Sequence, residues 1–314
     1  MSMAETIPAW LISGFARACA NLGASASREA EEQQARDLAT VWSAPERCFH
    51  NLTHLKDTLE NVDFLAEQAR DIDALHLAVW FHGAVFDVSE AAVERSEGGI
   101  NIMESAKLAQ NRLTFLGLPP EKVDTIVALI ESLYRHKATE DIDSQVLCDA
   151  DLAILSADPE EYLDYLQAIR EEYRAYSNER FVETRLEIVE SLLARPQLFY
   201  THTAATWEEQ ARENLLAEQS RLHKVNVSEL PPPPEPSAST LPAPGLDSGS
   251  FEVISETDEA EDSKIAGDIN PYAPTDEADL GSTLENVEEV MDTLVMKALK
   301  SDEMTIKPMS DSAQ

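Results

Sequence analysis

Residues 10–42 read WLISGFARACANLGASASREAEEQQARDLATVW, and their apolar positions, Leu11, Phe15, Ala18 and Leu22 and then Ala35, Leu38 and Val41, recur every three or four residues. An α-helix returns to the same face at that interval, so the stretch predicts two amphipathic helices joined near residues 23–27. Pro45 breaks the rhythm, which resumes over residues 51–70 and 72–86. A further helix is expected after Gly98-Gly99, running through Met103, Leu108 and Leu113 until Gly117 and Pro119 stop it. Another runs from Pro120, which suits a first helical turn, to about residue 136. Residues 146–156, 159–176, 179–194 and 207–223 complete the series. No stretch alternates apolar and polar side chains as a half-buried strand does, so the predicted fold class is all-α.

Composition divides the 314 residues into two parts. Residues 1–224 carry Leu, Ala, Glu and Arg at helical spacing and are expected to form one helical domain. Residues 225–314 open with Pro231-Pro232-Pro233-Pro234 and continue in Ser, Gly, Asp and Glu, too poor in apolar surface to offset the entropy of ordering, so a disordered acidic tail is expected. Within it Leu284, Val287, Val290, Met291, Leu294, Val295 and Met296 fall largely on one helical face, with acids on the N-terminal side and Lys297 and Lys300 on the other. Residues 284–299 therefore read either as a short recognition helix for the groove of a protein partner or as a transient helix with none.

The formal net charge of −35 argues against a surface for the phosphate backbone of nucleic acid. It leaves room for a small phosphate-bearing substrate in a local pocket. Cys19, Cys48 and Cys148 are odd in number and lack metal-finger or disulfide-framework spacing, which reads as buried thiols in a reducing compartment. The first residues lack the basic and apolar segments of a leader, and no apolar run reaches the roughly 18 residues that a membrane span needs. An intracellular, cytoplasmic protein without a membrane partner is the expectation.

Chemistry concentrates in histidines and aspartates on separate predicted helices. His50 and His54 are four apart at a helix start, His82 lies in the most apolar stretch of the chain, His136 follows a helix, and Asp149 and Asp151 sit in Leu147-Cys148-Asp149-Ala150-Asp151-Leu152. Imidazole nitrogen with carboxylate oxygen suits a divalent ion such as Zn²⁺, Mn²⁺ or Fe²⁺. The plainer alternative for each is a hydrogen-bonded core histidine or a capping aspartate. Nucleophile-elbow, phosphate-loop and dinucleotide signatures are absent from the sequence, and Gly98-Gly99 reads as a turn.

Three segments in order, Phe49-His50 to His54-Leu55, Phe81-His82-Gly83-Ala84-Val85-Phe86-Asp87, and Asp149 to Leu155, resemble the predicted metal-dependent phosphohydrolases of the HD superfamily over about residues 40–220. Glu171-Glu172-Tyr173, Ala194-Arg195-Pro196 with Tyr200-Thr201, and Ala211-Arg212-Glu213-Asn214-Leu215 are similar to that family too. The resemblance implies an HD-domain-like helical bundle in which His54, His82 and Asp151 are metal ligands. It casts His50 as the acid that protonates a leaving oxygen, by its likeness to the His-Asn-x-x-His segment of cyclic-nucleotide phosphodiesterases. His136, Asp149 and Asp87 are candidates for extra ligands or for partners that orient the imidazoles.

The sequence departs from the family where the aspartate that names it gives way to Gly83. Losing that carboxylate removes an oxygen donor and a negative charge. Two functions follow as expectations: a hydrolase of phosphoesters working with three protein ligands and water, or a catalytically degenerate scaffold that binds through its pocket or its tail.

Overall fold

The computed structural model describes residues 7–95, 97–136 and 140–227. Of the expected acidic tail, all but its first residues, the 284–299 helix included, lies outside the described residues. Eleven helices are present among them: α1 Ala9–Asn21, α2 Arg28–Trp42, α3 Leu52–Phe64, α4 Ile72–Phe81, α5 Glu90–Glu94, α6 Ile102–Phe115, α7 Pro120–Ser132, α8 Ile142–Asp151, α9 Pro159–Glu172, α10 Asn178–Leu193 and α11 Glu208–Leu222. The all-α class holds, with one two-residue antiparallel ladder between β1 (Phe86–Asp87) and β2 (Gly99–Ile100).

Local chemistry explains most of the boundaries. Each of α2 to α6 and α8 to α10 starts after a Ser, Asn or Asp whose side chain accepts a first-turn amide: Ser27, Asn51, Asp71, Ser89, Asn101, Asp141, Asp158 and Ser177. At Gly117, φ is +72°, and its carbonyl accepts from Ser25 N so that the α6–α7 turn is tied to the α1–α2 turn. A side chain there would meet both the left-handed backbone penalty and Ser25 Oγ.

The core surrounds α4. Ala74, Leu75, Leu77, Ala78, Val79, Trp80 and Phe81 are all buried, and the helix packs against α1, α3, α6, α7 and α8. A helix apolar on all but the one face that carries Asp73 and His76 belongs in an interior, not on a surface. A second anchor ties α9, α10 and α11 together, where Glu218 accepts from Arg185 Nε at 2.7 Å and from the Tyr162 hydroxyl at 2.5 Å, all three buried. The cation and anion neutralise one another where neither could stay charged alone. Val225 and Val227 still pack against the core.

Several expected boundaries moved. The helix predicted over residues 72–86 stops at Phe81. Gly83 is a weak helix former, and Phe86-Asp87 leaves instead to pair with Gly99-Ile100, so Gly99 of the glycine pair belongs to a short ladder and not only to a turn. Between the two strands α5, which apolar spacing did not announce, is nucleated by Ser89. The helix predicted over residues 51–70 ends at Phe64 and continues as a 3₁₀ turn, Ala66–Gln68. The α8 helix starts at Ile142, earlier than residue 146, because Asp141 caps it.

Candidate metal centre

Three elements deliver the cluster. Asn51 caps α3 through Thr53 N and His54 N, which sets the first turn and puts His54 on the buried face. His82 is the residue that closes α4, and Asp151 is the last residue of α8. His54, His82 and Asp151 form a group that could hold a metal ion, each offering one donor atom. His54 Nε2 stands 3.4 Å from His82 Nε2 and 3.3 Å from Asp151 Oδ1, and His82 Nε2 stands 3.4 Å from the same oxygen. Bonds of about 2.0–2.1 Å at tetrahedral angles would set neighbouring donors about 3.3–3.4 Å apart, so the triangle fits one face of a zinc-like tetrahedron.

Neighbours fix how these groups present themselves. His82 Nδ1 lies 2.6 Å from the Val79 carbonyl, which can only accept, so the proton sits on Nδ1 and Nε2 carries the lone pair. Asp151 divides its oxygens: Oδ1 faces the two imidazoles, while Oδ2 takes His136 Nε2 at 2.8 Å. Asp151 is therefore set to give one oxygen to an ion while His136 orients it. Burial pushes the His54 pKa down, against the upward pull of Asp151, and so favours the neutral, ligating imidazole. Burial works to raise Asp151, but the facing His82 imidazole and the hydrogen bonds of His136, His54 and His82 outweigh it and hold the carboxyl well below its usual range.

His50 lies beside His54, with ring centroids 5.4 Å apart. Its Nδ1 is 2.5 Å from Glu172 Oε1, and Glu172 Oε2 accepts from Phe49 N at 2.8 Å and His50 N at 2.9 Å. Arg47, buried between the rings of Trp42 and Phe86, donates to the His50 carbonyl at 3.0 Å and to the Ala84 carbonyl at 3.5 Å. It ties the turn bearing His50 to the turn that follows His82. Burial, opposed by Glu172, pushes its pKa down to about 10.

The other two candidates lie apart from the cluster, which corrects their expected roles. Asp87 is an exposed residue of β1 whose Oδ1 accepts from Ser89 N at 2.9 Å, so it shapes the turn into α5. Asp149 is fully buried, and its oxygens accept from Tyr200 N and Thr201 N at 2.7–3.0 Å. Burial pushes its carboxyl up and those amides pull it back, so Asp149 pins the segment after α10 onto α8. His136 takes the orienting role and not that of a ligand in the triangle.

Gly83 now has a physical counterpart. A Cβ added there would lie 2.6 Å from Trp42 Cη2, far inside van der Waals contact. The Trp42 indole fills the space into which a side chain at residue 83 would project, and it packs on the His82 and His54 rings at centroid distances of 5.2 and 6.2 Å. Its Nε1 donates to the Trp80 carbonyl at 3.0 Å, which the end of α4 leaves open. Sequence reading named neither Trp42 nor Glu172 for a role at the site. The trace of Glu172 was there: from Tyr165, Leu166 and Ile169, the apolar face of α9 runs three residues on to an acid, which a core face rarely carries without a task. Set against models of known families, curated proteins and solved structures, the chain matches none.

Proposed function

We propose that this chain is a metal-dependent hydrolase of a small phosphoester, working in the cytoplasm, with His54, His82 and Asp151 as ligands of a divalent ion. The observation that carries the reading is the triangle of donors at 3.3–3.4 Å standing next to a histidine held by a buried carboxylate. A divalent ion in that position supplies Lewis acidity, polarising a phosphoryl oxygen and making a water nucleophilic near neutral pH. Glu172 keeps Nδ1 of His50 engaged, so delivery of a proton to the leaving oxygen falls to Nε2. Val79 fixes the tautomer of His82, and His136 holds Asp151 in its one-oxygen pose. Phe49, Trp42 and Phe86 close apolar rings around these groups, which excludes bulk water and strengthens every charge interaction inside.

The test strips the full chain with a chelator, reloads it with Zn²⁺ or Mn²⁺, counts bound metal by mass spectrometry, and assays nucleotide and generic phosphoesters. His54→Ala should lose both the metal and the hydrolysis. Metal far below one ion per chain after loading, with His54→Ala unchanged from wild type, removes the reading.

A second reading is favoured by one observation, the indole beside Gly83 where the family would place an aspartate. On that reading the domain is a noncatalytic platform and the acidic tail binds the partner. Deleting residues 230–314 would then abolish function in the cell without changing the melting of the domain.

A further inference from the structure

The walls of the cluster differ from side to side. Towards residue 83 the site is closed by a ring and not by a donor. Trp42 is fully buried, its indole nitrogen is engaged by the Trp80 carbonyl, and its benzo edge meets the space in front of Gly83. The same ring lies against both ligand imidazoles. The Arg47 guanidinium lies over the indole, 5.0 Å from the ring centroid, which adds a fixed cation beside it. A rigid, hydrogen-bonded aromatic group in a close-packed interior yields little.

Two consequences follow for an ion held by this cluster. The three donors are 3.3–3.4 Å apart, as on a tetrahedral face, whereas an octahedral ion with bonds of about 2.0–2.1 Å needs neighbouring donors only about 2.8–3.0 Å apart and three further ligands around it. The indole removes room for those further ligands on one flank, and a second cation would find a ring and the Arg47 guanidinium there in place of a carboxylate.

We propose that Trp42 determines the metal specificity of this centre: packed against His54 and His82 in the space before Gly83, it confines the site to one four-coordinate ion of the Zn²⁺ or Co²⁺ type. The inference rests on the reading of His54, His82 and Asp151 as ligands. Trp42 acts on the ion through space and shape, without contributing a ligand atom.

Co²⁺ is the probe, because its visible bands are intense in four-coordinate sites and weak in six-coordinate ones. The metal-stripped full chain is titrated with Co²⁺ while absorbance and bound metal per chain are followed, and Mn²⁺ is then competed against Zn²⁺. Wild type should saturate at one Co²⁺ with the intense bands. Trp42→Phe withdraws the benzo edge from Gly83 yet keeps a ring in the core, and Trp42→Ala removes the wall entirely. Either variant, if folded by circular dichroism, should show weakened bands, and Mn²⁺ should gain about tenfold on Zn²⁺ in the competition. A wild-type protein that binds Co²⁺ with weak bands, or binds two ions, overturns this inference while the metal centre stands. So does a Trp42→Phe protein whose bands and Mn²⁺ discrimination equal those of wild type. Failure of the wild type to bind either Co²⁺ or Zn²⁺ overturns the metal centre itself and the inference with it.

Discussion

Glu172 grips His50 from both ends: one carboxylate oxygen lies 2.5 Å from the imidazole Nδ1, and the other takes the backbone amide of His50 itself at 2.9 Å. The carboxylate thus sets the ring, the peptide that carries it and, through Phe49 N at 2.8 Å, the peptide before it. The His50 and Glu172 side chains are buried and the Phe49 amide partly so, which makes Glu172 a costly partner to lose. An isolated helix-end acid would not need three such partners.

Replacing Glu172 with Ala leaves those donors unpaired in the interior, at about 1–3 kcal/mol for each unsatisfied group. Loss of at least about 3 kcal/mol in urea denaturation is expected. Glu172→Gln keeps the shape and one acceptor, and should fold. On the proposed chemistry it should retain bound metal but lower kcat on a phosphoester about a hundredfold with KM little changed, since it touches His50 and not His54, His82 or Asp151. A Glu172→Gln protein with unaltered kcat would remove His50 from the chemistry.

His136 meets the candidate metal cluster through Asp151, whose Oδ2 lies 2.8 Å from its Nε2. Its backbone sits at φ +40°, a region that Asn tolerates well among non-glycine residues, so His136→Asn preserves the turn while its shorter side chain no longer reaches Asp151 Oδ2. Metal affinity should fall about 10–100-fold with a small change in melting temperature. Calorimetric titration with Zn²⁺ checks this, and affinity equal to wild type would show that Asp151 holds its pose unaided.

The two halves of the site differed in how visible they were in the sequence. The helical setting of His54, His82 and Asp151 was legible because apolar periodicity is a local property of the chain, whereas their selection from among the other histidines and aspartates came from the resemblance, and the structure brings the three together. Glu172 is 122 residues from His50, and although its place on the apolar face of α9 marks it as buried, nothing local names the partner that a contact at that separation supplies. Trp42 reads as an ordinary core aromatic at the end of α2, and only the packing of α2 against the α4 terminus shows what it displaces. The hairpin of β1 and β2 escaped for another reason, since two residues per strand are too few to display an alternation.

Trp42 and Gly83 should behave as one packing unit. Gly83→Ala pushes a methyl group to 2.6 Å from Trp42 Cη2, and the indole is held by its hydrogen bond to Trp80, so about 1–3 kcal/mol of stability should be lost. Trp42→Phe also destabilises, by leaving a void and an unmet carbonyl. Together the two changes should cost less than their sum by at least about 0.5 kcal/mol, because the smaller ring accepts the methyl group. Urea denaturation of the four proteins in the cycle measures the coupling. Strict additivity would mean that the two side chains do not compete for the same space, and that a larger side chain at residue 83 could enter without displacing the indole.

The metal-free protein should weaken in acid in two stages, whose order follows from the opposite roles of His54 and Asp151. The folded-state pKa of His54 is lowered, chiefly by burial, so as pH drops through about 6.5 the unfolded chain takes up a proton that the folded one refuses, and stability declines from there. Asp151 is depressed in the folded state, so its contribution is intact above the unfolded value of about 3.9 and is lost only as pH falls below that towards its folded value. Melting temperature measured in a chelator should therefore be level from pH 8 to 7, begin to fall as pH drops through about 6.5, and fall further below about pH 4. His54→Asn removes the titrating ring and should flatten the first decline while leaving the second. Zinc added at saturating concentration should delay the first decline by competing with the proton for the same nitrogen. A wild-type melting temperature that stays constant from pH 7.5 to 5 would contradict the burial of a neutral His54 imidazole, and with it the electrostatic account of the centre.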